Sequence, residues 1–300
     1  MLPPAPGIED LTALAHTGSR VGHSLPARVS EALAGFRLDA GPAGALMLRN
    51  LPTGTVPATP ATPAAPTAKD HTSELVLLTV AGLLGHAVGY RPEHGGEIVQ
   101  NIVPTRRGAS AQISTSSRVD LLLHTETAFH PHRPRYLLLL CLRGHPAAGT
   151  TLASVAVLLD RLDPKTVDTL FQPRFRTAVD ASFLDGRAGP IGPLLPVLRG
   201  ARDEATLVYD ADLTTGADTE ARRALDELTA AAGSHHRTVV LEPGDLLVID
   251  NHRAVHGRTA FTPRFDGTDR WLQRSFVVSD LGPSATERDG RVITTEFALG

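Results

Sequence analysis

His124 and Glu126 stand two apart, directly after the apolar run VDLLL. In an extended strand such residues project from one face, so both side chains can converge on a single ion. A neutral imidazole beside a carboxylate suits a divalent first-row metal. Two histidines and one carboxylate with open positions suit Fe(II). The spacing alone is weak evidence: with 13 His and 32 Asp plus Glu in 300 residues, chance gives roughly 1.4 His-x-acid matches. A surface histidine near a surface glutamate would look the same.

The segment LEPGDLLVIDNHRAVHGR shifts that balance. Pro243-Gly244-Asp245 is a turn signal and LLVID reads as a buried strand, with His252 and His256 just past its end. Either histidine has the chemistry of a third ligand. A further segment, DGTDRWLQRSFVVSDL, sets Arg270 and Arg274 four apart, on one face of a strand by alternation. An arginine fork matches a carboxylate bidentately. Two inward arginines beside a metal would suit two carboxylates, one from a cosubstrate and one from a substrate. On an edge strand they would be a solvated pair.

These residues need a framework that joins distant strands. From about residue 95, short apolar runs alternate with turn signals: GEIVQNIVP, RVDLLLH, RYLLLLCLR, TTLASVA, TAVDASFL, ATLVYDADL, TVVLEPGDLLVIDN, RWLQRSFVVSDL and RVITTEFAL. Many short strands at this spacing predict a sandwich or barrel, here a jelly roll wrapped by helices. Two helices interrupt it, near VAVLLDRL and DTEARRALDELTAAAG, the second with Asp218 or Thr219 as N-cap and Gly233 as its stop. Upstream, residues 9 to 40 read as helical, GALMLRNLP as a strand entering a turn, and Glu74 to Tyr90 as one buried helix. The Pro/Thr/Ala-rich stretch 52–70 cannot build a core and reads as an exposed, mobile loop within one domain of 1–300. The expected organisation is a helical N-terminal part to residue 90 and a jelly-roll core over 95–300 with helical insertions. The segment RAGPIGPLLPVLRGARDEA reads as a lid over the site or a plain surface excursion.

Composition narrows the classes. A 42% hydrophobic, 20% charged chain buries a real core. A net charge of -3 points away from nucleic acid and anionic membranes as partners. One cysteine, Cys141 within YLLLLCL, rules out an internal disulfide framework and fits a reducing compartment. No basic segment followed by an apolar stretch opens the chain, and no apolar run approaches the roughly 20 residues of a membrane span, so the expected location is the cytoplasm.

Together the segments ISTSSRVDLLLHTETAFHPHRPRYLLLLCLR, GTTLAS, LVYDADLTTG and LEPGDLLVIDNHRAVHGRTAFTPRFDGTDRWLQRSFVV resemble the clavaminate synthase-like branch of the Fe(II)/2-oxoglutarate oxygenases, which includes arginine and asparagine hydroxylases. The similarity runs from about residue 85 to 280; the first 80 residues match poorly. The resemblance implies a mostly β, double-stranded β-helix core and Fe(II), 2-oxoglutarate and O2 as cofactor and cosubstrates. It implies His124, Glu126 and His256 as ligands, choosing His256 over His252 because the family's ligand precedes Gly-Arg. It also implies Thr151 and Arg270 on the distal carboxylate of 2-oxoglutarate and Arg274 on the substrate α-carboxylate. Ser114 falls at a substrate-contacting position, and Asp210 at the position that recognises basic or amide side chains, with Asp212 two residues on. Glu93 and His94 stand where relatives carry a glutamine that touches the substrate amine.

The implied function is hydroxylation of an unactivated C–H of an L-amino acid in specialised-metabolite biosynthesis, such as that of antibiotics. Asp210 and Asp212 favour a cationic side chain of arginine, ornithine or lysine type, although DAD also reads as a solvated turn. Desaturation or cyclisation of a related substrate is an alternative outcome. Two other classes fit the triad: a His2Glu zinc hydrolase, which has no use for Thr151 and Arg270, and a non-enzymatic jelly-roll binding protein.

Overall fold

The computed structural model describes residues 11–22, 25–63, 69–184 and 186–297. Three helices, α1 (Leu11–Val21), α2 (Ala27–Leu38) and α3 (Thr72–Leu84), flank strand β1 (Ala45–Leu48). Then come β2 (His86–Tyr90), β3 (Gln100–Ile102), β4 (Leu121–His124), β5 (Tyr136–Arg143) and β6 (Thr150–Ser154). A helical insertion carries α4 (Val155–Leu159) and α5 (Pro164–Leu170). It is followed by β7 (Phe175–Thr177), β8 (Leu198–Arg199), β9 (Thr206–Leu207), β10 (Thr214–Gly216) and α6 (Thr219–His235). The chain closes with β11 (Arg237–Val239), β12 (Leu246–Asp250), β13 (Ala254–Arg258), β14 (Trp271–Val278), β15 (Arg288–Asp289) and β16 (Val292–Ile293).

Two sheets organise the molecule. The larger runs β1-β12-β5-β14-β2-β16-β15, with β3 also paired to β14; the smaller runs β11-β6-β13-β4. Strands β3 to β6 fall alternately in the larger and smaller sheets. Strands β11 to β14 do the same, starting from the smaller sheet.

Alternation along β5 shows why its sequence is a continuous apolar run. Leu138, Leu140 and Leu142 pack with α1, α2 and α3, whereas Leu137, Leu139 and Cys141 face the space between the sheets. A strand buried on both faces needs no polar side. Helix α3 is buried nearly all round for the same reason, lying between α1 and the larger sheet. Helices α4, α5 and α6 cover the outer face of the smaller sheet through Leu158, Leu170, Leu225 and Leu228 against Ala153 and Val255. Trp271 is fully buried, and its indole N–H donates to Asn101 Oδ1 at 2.8 Å. Truncating such a ring costs about 3–5 kcal/mol.

Several expectations are corrected. Residues 74–90 are not one helix: α3 stops at Gly85, and HAVGY is strand β2, paired with β14. A Cβ on Gly85 would sit 2.3 Å from the Val278 carbonyl oxygen, so only glycine lets the chain turn from helix into sheet there. The apolar run gave no sign of the switch. Helix α6 runs two residues past Gly233, although Asp218 caps its start by accepting the Ala221 N–H. TAVDASFL is not a strand beyond Thr177, where β7 ends, and closes in a 3-10 turn of helix at Ala181–Leu184; ATLVYDADL keeps only the two-residue β9; and α5 is an addition despite Asp163 as N-cap and Pro164 in its first turn. In the Pro/Thr/Ala-rich stretch, residues 52–63 have neither helix nor strand, but Thr59 is buried. Its N–H donates to Gly267 O at 2.8 Å, its hydroxyl donates to Asp269 O at 2.6 Å, and Arg143 donates to it. Residues 9, 10, 64–68, 298 and 299 lie outside the described residues. Among the described residues no helix is long and apolar enough to cross a membrane.

Candidate metal centre

His124 and His256 are direct cross-strand partners where β4 meets β13, and their ring centroids lie 4.3 Å apart. Glu126 lies beyond β4, in a turn rather than on the strand, so period-two alternation is not what aims its carboxylate. The turn is held instead by Asn251, in the β12–β13 connection. Asn251 accepts the Glu126 N–H at 2.7 Å and donates to the carbonyls of Glu126 and Pro134 at 3.1 and 3.0 Å. Thr127 completes it at φ 49°, a left-handed value that a β-branched residue rarely takes. His94, next to Glu93, has the same φ of 49°.

Glu126 Oε2 lies 3.4 Å from His256 Nε2 and 4.0 Å from His124 Nε2. One ligand atom from each residue falls within 4.8 Å of the others. His124 Nδ1 is 2.8 Å from the Leu122 carbonyl, which fixes the proton on Nδ1 and leaves Nε2 free for a metal. Burial, with His124 alongside, lowers the His256 pKa to about 4, so the ring is neutral. Burial raises the Glu126 pKa, but Arg274, His256 and His124 outweigh it and hold the carboxyl at about 2. Two imidazoles and one ionised carboxylate make a donor set that fits Fe(II). His252 is elsewhere: it sits in the turn after β12, with Nδ1 3.1 Å from Arg135.

The triad opens into a cavity of about 310 Å3. Arg270 and Arg274 both line it, as alternation along β14 predicts, yet their surroundings differ. Arg274 donates to Gln100 Oε1 through Nε at 2.9 Å, to Glu126 Oε1 at 3.3 Å, and to Glu93. The buried Arg270 guanidinium has no hydrogen-bond or ion-pair partner among the described residues. Burial, reinforced by the nearby charge of Arg258, lowers its pKa to about 10.

Thr151 does not reach this cavity. On β6, Leu152 faces the inter-sheet core while Ala153 faces the helices, so Thr151 shares the outer face with Ala153. There it lies against Gly257, whose added Cβ would meet Thr151 Oγ1 at 2.9 Å. Thr150 is the residue that lines the cavity, and its buried hydroxyl has no partner. The offset from Glu126 was one residue out because a spacing count does not fix strand parity.

Ser114, Asp210, Asp212 and Glu93 all line the cavity. Asp210 forms an isolated bridge with His124, and its Oδ1 accepts the N–H groups of Asp212 and Leu213 at 2.8 and 2.9 Å. Burial raises its pKa, partly offset by His124. Burial likewise raises that of Glu93 against the pull of Arg274. Sequence reasoning missed Thr150, Gln100 and Asp180. The first carried a signal, being the other threonine of the pair; the other two depend on tertiary packing. The expected lid, 187–205, contributes no described residue to this cavity.

Residues 44–276 match the model of the taurine catabolism dioxygenase TauD, TfdA family. The chain is 42% identical to an L-asparagine oxygenase of Streptomyces coelicolor, covering 90% of this chain and 82% of that one. It is 37% identical to an L-lysine 3-hydroxylase of Catenulispora acidiphila, covering 91% and 78%. A solved asparagine oxygenase with Fe(II), 2S,3S-3-hydroxyasparagine and succinate superposes with a TM-score of 0.88 at 41% identity, over 93% of this chain and 88% of the other. The fold is therefore the mixed, strand-rich fold of the non-haem iron oxygenases, and the chain belongs to the TauD/TfdA dioxygenase family.

Proposed function

We propose that the protein hydroxylates an aliphatic carbon of a free L-amino acid with a cationic side chain, of the arginine, ornithine or lysine type. One observation carries the substrate class. Asp180, Asp210 and Asp212 line the cavity, and among the described residues none of them makes a hydrogen bond or close ion pair with a lysine or arginine side chain. Carboxyl groups left without such a partner favour a ligand that brings one. Both named relatives act on amino acids, one amide and one cationic. Family membership sets aside the zinc-hydrolase and binding-protein alternatives.

His124, Glu126 and His256 would hold Fe(II), and the unpaired Arg270 with the Thr150 hydroxyl would hold the distal carboxylate of 2-oxoglutarate. When bound, iron and 2-oxoglutarate together supply oxidising power from O2 for placing one oxygen atom in a C–H bond, with release of succinate and CO2. The protein's own part is positioning and exclusion of water. Arg274 would take the substrate α-carboxylate and Glu93 the α-ammonium, exchanging their mutual pair for two pairs with the zwitterion. Ser114 would lie along the substrate, and the three aspartates would receive its far end. We read the alternation of strands between the two sheets as a double-stranded β-helix of one domain, which is what brings β4 and β13 side by side.

The test is succinate release under air with Fe(II) and 2-oxoglutarate, screened across the amino acids. Arginine, ornithine or lysine should stimulate it, with a product heavier by one oxygen; loss of two hydrogens would indicate desaturation instead. Asp210→Asn, which keeps the turn, should erase the preference for cations while uncoupled 2-oxoglutarate turnover persists. Stimulation by aspartate or glutamate alone would overturn the proposal.

A further inference from the structure

A second cavity, of about 420 Å3, lies behind the metal centre and shares only Ala128 and Phe129 with the first as lining residues. Its walls come from the turn after Glu126, from β7 and β10, and from the proline-rich segment 190–197. Phe129, Phe175, Val179, Val197, Val208 and Phe297 make it largely apolar. Two arginines, Arg133 and Arg199, also line it, and no acidic residue does so among the described residues.

Three of their guanidinium nitrogens lack partners. Arg199 Nε and Nη2 and Arg133 Nε are buried without a hydrogen bond. Arg133 has one long contact, donating to His130 O at 3.4 Å. Arg199 Nε and Nη2 form one edge of the guanidinium, the edge that grips both oxygens of a carboxylate or phosphate side by side. The two charges also act on each other: burial first, then Arg199, lowers the Arg133 pKa to about 10. An apolar chamber that holds two cations, three idle donors and no counter-charge is costly unless something fills it. Its size is in the range of small-molecule sites, which begin near about 300 Å3. Ile191 and Leu195, both exposed, lie among its lining residues.

We propose that this cavity binds an organic oxoanion, a carboxylate or phosphate head on an apolar body, at a site separate from the metal centre. Arg199 takes the head side-on, Arg133 adds charge, and the aromatic and aliphatic walls take the body. Because the wall at Ala128 and Phe129 belongs to the turn that carries Glu126, the occupant lies against the back of the metal site.

The protein should be loaded anaerobically with Fe(II) and saturating 2-oxoglutarate, so that the anion seat of the first cavity is filled. Benzoate and phenyl phosphate are then titrated by calorimetry, with acetate and inorganic phosphate as head-only probes. One saturable site per chain is expected for benzoate or phenyl phosphate, at least tenfold tighter than for the matching head-only probe, and the stronger of the two identifies the head. Arg199→Gln should weaken it at least tenfold, while leaving the ligand-free Tm unchanged or raised, because an unpaired cation has been removed. Absence of saturable binding, equal binding by Arg199→Gln, or competition with 2-oxoglutarate would overturn the proposal. So would a ligand-free Tm several degrees lower in Arg199→Gln, which would make Arg199 a structural residue.

Discussion

Two arginines four residues apart, Arg274 on β14 and Arg270 just before it, face the same cavity in opposite states. Around Arg270 the groups are idle: an unpaired guanidinium and an unpaired Thr150 hydroxyl. Around Arg274 they are engaged, with Gln100, Glu93 and Glu126 all accepting from it. One side is a rigid seat prepared for an anion, at a standing cost in stability. The other is a closed internal circuit that a zwitterion would have to open by offering equivalent partners. Affinity at the first should be tight and insensitive to substrate; affinity at the second should depend on matching both charges at once.

The largest effects should come from deleting the arginines, and the loss of stability should separate them. Arg270→Ala should raise the KM for 2-oxoglutarate about 100-fold or more, since removing one partner of a buried charge pair costs about 2–5 kcal/mol. The ligand-free Tm should not fall by more than the lost packing explains. Arg274→Gln should instead destabilise the ligand-free protein by about 3–5 kcal/mol, because Glu93 and Glu126 are left facing each other without a cation. Urea denaturation of both variants without metal checks the contrast directly. If both lose stability equally, the distinction between idle and engaged sides is wrong.

Acid should test the buried histidines as a group. Burial lowers the pKa of His94, His252 and His256 to about 4 and that of His130 to about 3, against an ordinary value of 6.5. The unfolded chain therefore takes up protons near 6.5 that the folded chain refuses. Stability is complete above pH 6.5 and is lost as pH falls from there toward 4. With several histidines acting together, the slope should exceed the roughly 1.4 kcal/mol per pH unit of a single proton. His94→Asn, which tolerates the left-handed backbone, should flatten it. A flat stability profile over that range would contradict the buried, neutral assignment.

The smallest effect concerns strand parity. Thr150→Val should raise the KM for 2-oxoglutarate about 10- to 30-fold, the lower end of the worth of one hydrogen bond to a charged group, about 1.5–2 kcal/mol. Thr151→Val should leave it unchanged. Reversal of that order would restore the spacing-based assignment and move the seat to the other face of β6.

Residue type marked His124, Glu126 and two candidate histidines, His252 and His256; only the family resemblance chose between the two, and the structure brings His256 beside His124. Arg270 and Arg274 were legible because alternation extends from β14 to the residue just before it. Elsewhere the information is tertiary. The parity of Thr150 is set by pairing with β13, and the end of α3 by how closely Gly85 approaches Val278. Gln100 matters because it is the cross-strand partner of Arg274. Asp180 belongs to a stretch read as a strand that leaves β7 at Thr177 and enters a 3-10 helix at Ala181. Local pattern identified what could react, and long-range register decided which of it faces the cavity.

Asn251 has a consequence for protein engineering. It grips the backbone of a turn 125 residues earlier in the chain. The stretch from His124 to Arg133 is thus not a portable cassette: moved to another scaffold, it would leave behind the amide that sets its shape. A graft would have to bring the β12–β13 connection as well, which makes the smallest transferable unit two distant pieces of chain rather than one.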